Sequence, residues 1–136
     1  MGTMIKAVID WSDGMYYIST PAEQGIGVSA MGKTVEKAKS AYLDFLKEYP
    51  ALCAESGADV PLVLRSPLDI EYTYTISAFL HVFPVSLRDL SDASGLNYRQ
   101  LSAYKNGNRF PKESTKQKIK DGIAKIGRDL LSARLL

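Results

Sequence analysis

The chain has 136 residues, 46% of them hydrophobic and 24% charged, with a net charge of +2; this is the composition of an ordinary globular protein and not of a disordered or fibrous one. No apolar run approaches the roughly 20 residues of a membrane span, and Met1 to Asp10 lacks the charged start and apolar stretch of a signal peptide. The single cysteine, Cys53, rules out an internal disulfide, and neither it nor the single histidine, His81, stands in a cluster with metal-ligand spacing, so a cytoplasmic protein with no membrane association, metal or cofactor is expected.

Met1–Thr3 precede a second methionine and are left out of the fold reading. Ile5, Ala7 and Ile9 alternate with Lys6, Val8 and Asp10, a half-alternating pattern suited to a buried strand. Ser12-Asp13-Gly14 is a turn signal, and Met15 to Ser19 is rich in strand formers, so the two strands form a hairpin. Pro21 to Gly25 reads as a second turn and Ile26 to Ala30 as a third strand. Thr34 is a good helix N-cap. Val35, Ala38, Ala41, Tyr42, Phe45, Leu46 and Tyr49 then recur at helical spacing as one apolar face, and Pro50 is expected to end that helix. Residues 51–67 resist assignment beyond room for a short helix at 51–56. Leu68 to Tyr74 alternates as a fourth strand. The fold class expected is α+β: a small antiparallel sheet with one packed helix over residues 1–74, followed by an all-α domain over residues 75–136.

The second domain begins with a short helix, Ile76 to Phe83. Ser86 caps a helix running to about Ala93, and Asn97 caps another running to about Lys105. Ser114 or the turn before it opens a last long helix, with Ile119, Ile123, Ile126, Leu130 and Leu131 on its buried side. The pair from Val85 to Tyr104 meets the demands of a helix-turn-helix. Leu87 and Leu90 face inward, Gly95 supplies the positive φ of the corner, Leu96 plugs the turn, and Leu101 and Tyr104 lock the second helix onto the first. Tyr98, Arg99, Gln100, Ser102 and Ala103 are then the outward residues, placed to read base edges in a major groove. Arg99 suits guanine and Gln100 suits adenine. Charge agrees: residues 1–83 carry 6 Lys+Arg against 10 Asp+Glu, a net −4, and residues 84–136 carry 11 against 5, a net +6. A basic half attracts a polyanion.

Lys105-Asn106-Gly107-Asn108-Arg109-Phe110-Pro111-Lys112 resembles the loop after the recognition helix in the lambda-repressor and Cro-like family. The resemblance implies phosphate contacts from Asn106, Asn108, Arg109 and Lys112 on double-stranded operator DNA. Ser86, Asn97, Lys105 and Lys116 are expected to join them from the helix ends. Two positions depart from the family: Leu87 stands where it often has Gln, and Ser91 where it has a small Ala.

The stretch Gly25 to Ala38, with Gly32, Thr34 and Ala38, resembles the HicB antitoxin family, whose first domain is a small, partial ribonuclease-H-like sheet. The resemblance implies a degenerate, non-catalytic fold, a small basic HicA-type ribonuclease toxin as partner, repression of its own operon, and a homodimer or tetramer. An active ribonuclease-H-like centre needs several carboxylates around two metal ions. Asp10 and Asp13 lie near the hairpin, but Glu23, Asp69 and Glu71 do not converge with them, so no enzyme is expected. The tyrosines, among them Tyr16, Tyr17, Tyr42 and Tyr72, are read as packing and not as a stacking platform for single strands. The alternative to an antitoxin is a stand-alone regulator whose sheet dimerises it or senses a ligand.

Overall fold

Asp13 and Gly14 both take positive φ, 49° and 82°, which is the two-residue turn that matches the twist of a hairpin. In the computed structural model, which describes residues 4–21, 23, 25–60 and 69–136, this turn joins β1 (Met4–Ser12) to β2 (Met15–Ser19). β3 (Ser29–Gly32), α1 (Val35–Ser56), β4 (Asp69–Tyr74), α2 (Ile76–Val82), α3 (Leu87–Ser94), α4 (Tyr98–Lys105) and α5 (Glu113–Ser132) follow. Residues 61–68, with the expected start of the fourth strand at Leu68, and residues 1–3 lie outside the described residues. The chain divides into two compact units, Met1–Ala78 and Phe79–Leu136. No helix among the described residues is long and apolar enough to cross a membrane.

The first unit is an α+β fold with the sheet order β3-β2-β1-β4. β1 pairs antiparallel with β2, and β2 with β3. β4 lies parallel to β1, with Ile5 opposite Ile70 and Ile9 opposite Tyr74. The sheet is therefore mixed, where an all-antiparallel one was expected. The reason is the connection: α1 crosses the sheet between β3 and β4, and a strand reached by a helical crossover enters in the direction of the strand that fed the helix.

One face of the sheet is covered. Ile5, Ala7, Ile9, Ile18 and Ala30 are buried against Val35, Ala38, Tyr42 and Leu46 of α1. Thr34 caps α1, its side chain accepting from the Lys37 backbone N–H at 3.1 Å. Gly32 is required where it stands, because a Cβ there would meet the Ala38 backbone nitrogen at 2.5 Å. Three further expectations about this unit are corrected. The third strand runs Ser29–Gly32 and not Ile26–Ala30: Ile26 and Val28 are buried as the alternation requires, and the Thr20 N–H still reaches the Val28 carbonyl at 3.1 Å, but the next residue, Pro21, has no N–H to carry the ladder further. Pro50 does not end α1, which continues through it to Ser56. The last turns are anchored by buried Cys53 and closed by Gly57 at φ 76°, with the Ala58 N–H on the Cys53 carbonyl at 2.9 Å. Phe45, placed by spacing on the inner face, is 48% exposed.

The second unit is all helical. Leu90, Leu101 and Ile119 are fully buried, and Leu96 and Tyr104 nearly so. Gly122 lets α5 approach α3 closely, since a Cβ there would meet Ser94 Cβ at 3.0 Å and Leu90 at 3.2 Å. Ile123 and Ile126 are half-buried. Leu130 and Leu131, expected inside, are 72% and 91% exposed. Leu130 lines an open groove with Asp89, Asp92 and Ala93 of α3, so α3 reaches this far along α5 without covering the side chain.

Candidate nucleic-acid interface

Two side-chain caps build the α3–α4 corner. Ser86 Oγ accepts from the Asp89 N–H at 3.0 Å, and Asp89 puts a carboxylate in the first turn of α3, where the helix dipole favours it. The helix stops at Gly95, φ 76°, whose N–H donates to the Ser91 carbonyl at 2.9 Å. Ser91 Oγ then donates to the Leu96 carbonyl at 2.5 Å, and Ser94 Oγ accepts from the Leu96 N–H at 3.2 Å. The serine at position 91 thus fastens the corner that an alanine would only fit. Asn97 Oδ1 accepts from the Arg99 N–H at 2.7 Å and opens α4.

With Leu101 and Tyr104 turned inward, α4 presents its other side. Tyr98 is 55% exposed and Arg99 is exposed, whereas Gln100, Ser102 and Ala103 are half-buried. Gln100 Nε2 donates to the Tyr104 hydroxyl at 2.7 Å; its amide lies along its own helix, and reading adenine requires it to exchange that bond. The loop after α4 folds back on the helix end. Asn106 caps α4 in a helical conformation, Gly107 has φ 77°, and the N–H groups of Asn108 and Arg109 both reach the Ala103 carbonyl. This leaves Asn106, Asn108, Arg109 and Lys112 exposed. Lys112 is the N-cap residue of α5, with no side-chain cap bond. Lys116 is paired with Glu113 at 3.2 Å, an exposed pair of small worth. Lys105 is half-buried, its backbone carbonyl 3.0 Å from His81 Nε2.

The sequence reading passed over two residues here. Arg88 is exposed on the first turn of α3 and lines a groove with Ser86, Leu87, Ser91, Asp92, Tyr98 and Lys105. Its signal was available, because it sits one position after Leu87 and so points away from the core. Phe110 is 85% exposed; nothing in the helical spacing marks it.

Burial pushes the His81 pKa below its ordinary value of 6.5; the bond to the Lys105 backbone opposes this and the Lys105 charge adds to it. The unfolded chain therefore takes up this proton more readily than the folded one, and stability is lost as pH falls through the ordinary histidine range. The melting temperature of the helical signal is expected to fall between about pH 7.5 and about pH 5.5, and to fall less in His81→Asn. Equal falls in both proteins would remove His81 from the account.

In the first unit, Asp10 and Asp13, two of the carboxylates weighed for catalysis, have other work. Asp10 Oδ1 accepts from the Trp11 N–H and the Thr75 hydroxyl, each at 2.8 Å. Asp13 is a turn residue at φ 49°. Among the described residues, no group of three or more His, Cys, Asp or Glu is placed to hold a metal ion. Tyr42 is fully buried and bonded to Thr20, and it meets Tyr72 edge-on at 6.5 Å; Lys39 Nζ lies 4.4 Å over the Tyr72 ring. These tyrosines are packing. Phe45 and Leu52, 48% and 56% exposed, line a shallow groove with Val28 and Tyr49, and Asp44 and Glu48 stand exposed on the same helix.

Comparison with protein-family models, with curated proteins and with solved structures gives no match to this chain.

Proposed function

We propose that this chain is a sequence-specific, DNA-binding transcriptional regulator of the HicB antitoxin type. In this reading it neutralises a small basic ribonuclease toxin through its first unit and represses its own operon through its second. The observation that carries the DNA-binding part is the α3–α4 pair. Two side-chain caps and a left-handed glycine hold the helices so that Leu90, Leu96, Leu101 and Tyr104 are inside and Tyr98 and Arg99 outside. That exposed face belongs to the half of the chain with a net charge of +6. A helix held this way presents its N-terminal residues to a major groove, and the basic loop from Asn106 to Lys112 flanks it for backbone contacts, which position without selecting. The antitoxin part is supported by the net −4 of residues 1–83 and by the apolar residues Phe45 and Leu52 beside the acidic Asp44 and Glu48. A non-catalytic sheet is supported by the engagement of Asp10 with Trp11 and Thr75.

Selection from a random duplex pool at moderate salt tests the first part. The selected site is expected to be twofold symmetric, with half-sites about 34 Å apart, if two copies bind together. On that site Arg99→Ala is expected to lose about 1–3 kcal/mol and to relax base choice, while Arg109→Ala weakens binding to all sequences alike. An Arg99→Ala protein with unchanged affinity and selectivity would show that α4 does not read the site. Co-expression with the product of a neighbouring gene encoding a small basic protein tests the second part. Relief of its toxicity supports the antitoxin reading, and toxicity unchanged by this chain leaves a stand-alone regulator.

A further inference from the structure

We infer that Arg88, Asp92 and Lys105 form a charge-tuned seat for one backbone phosphate of bound DNA, in the groove between α3 and α4. The inference rests on the DNA-binding reading above and adds to it two residues of α3, Arg88 and Asp92, to which that reading gives no DNA contact. The groove runs from the first turn of α3 to both ends of α4, so Arg88 shares it with Tyr98 at one end of α4 and Lys105 at the other. A ligand that follows the exposed side of α4 therefore passes Arg88.

The chemistry of the lining favours a phosphodiester. Arg88 carries a planar fork of N–H donors that matches two phosphate oxygens, and Lys105 adds a point charge. Ser86 uses its oxygen as an acceptor for the Asp89 N–H, which leaves its hydroxyl proton to donate. Ser91 adds nothing, because its hydroxyl already donates to Leu96. Asp92 follows Arg88 by four residues on the same helix and lines the same groove, so the two side chains are neighbours of opposite charge. A carboxylate there attracts the guanidinium and repels a phosphate. It weakens the seat's grip on any duplex, and affinity must then come from base contacts made elsewhere on α4.

Arg88 and Asp92 are both exposed, so their variants are expected to fold, which a thermal melt verifies. The experiment measures affinity for a selected duplex and for a scrambled one across a series of salt concentrations. Arg88→Ala is expected to bind both duplexes about tenfold more weakly at moderate salt. Its plot of log affinity against log salt is expected to be shallower by about 0.9, one phosphate contact. Asp92→Asn is expected to bind both about fivefold more tightly. Neither variant should change the ratio between the two duplexes; opposite signs at a constant ratio are not the result of a merely structural role. An Arg88→Ala protein with wild-type affinity and slope overturns the inference while wild-type DNA binding stands. A loss confined to the selected duplex also overturns it, by making Arg88 a base reader, and so does weaker binding by Asp92→Asn. Wild-type protein that binds neither duplex removes the DNA-binding reading itself.

Discussion

Leu101→Ala is expected to unfold much of the second unit. Leu101 is fully buried, 0% exposed, on the helix that packs against α3. Alanine removes its branched end and leaves a void that two capped helices cannot fully collapse. Such changes cost about 2–5 kcal/mol. A unit of this size has a total stability of roughly 3–9 kcal/mol, so the loss is a large part of the whole. The helical circular-dichroism transition should move down by about 10 °C or more. Trp11, the single tryptophan, lies in the first unit and reports that unit by its fluorescence. If the proposed DNA binding holds, it should fall for every sequence together, because the surface of α4 is lost and not one contact on it. A helical transition within a few degrees of wild type would mean that Leu101 is not the residue that locks α4 in place.

Gly32→Ala is expected to be the most damaging change to the first unit for the smallest volume added. The new methyl would stand 2.5 Å from the Ala38 nitrogen and 2.9 Å from the Lys37 carbonyl carbon. Both are backbone atoms of the first turn of α1, so no rotamer relieves the overlap. Either β3 or the start of α1 must shift, and Val35, Ala38 and Tyr42 are buried through that start. Overpacking of this kind costs about 3 kcal/mol. Gly27 is the control: a Cβ there meets nothing within 4 Å, and Gly27→Ala should change stability by no more than about 0.5 kcal/mol. Urea unfolding followed by Trp11 fluorescence compares the two. Equal midpoints for both variants would show that the Gly32 contact is not tight.

The residues that govern local conformation were legible one at a time. Thr34, Ser86 and Asn97 cap helices because a short oxygen-bearing side chain can reach an N–H two or three residues on, and all three do so. Asp13-Gly14 and Gly95 mark sites of positive φ for equally local reasons. The alternation of Ile5, Ala7 and Ile9, like the spacing of Leu90, Leu101 and Tyr104, locates inward faces because burial repeats with the period of the element. Even so, the spacing that placed Phe45, Leu130 and Leu131 inside describes only which side of a helix they share. It carries no information about which of them another element covers.

Three features were decided only by tertiary structure, and each depends on a partner far along the chain. The direction of β4 follows from the crossover that delivers it, and its six-residue pattern is the same read for a parallel or an antiparallel neighbour. The passage of α1 through Pro50 follows from the anchoring of Cys53, which offsets a lost backbone hydrogen bond. The exposure of Leu130, which lines an open groove with Asp89, Asp92 and Ala93, follows from how α5 lies against α3. Propensity and capping are energies of a few neighbouring residues and can be read from the sequence by itself. Strand direction, helix persistence and burial at a helix end are set by contacts between distant segments, and only the folded chain brings those together.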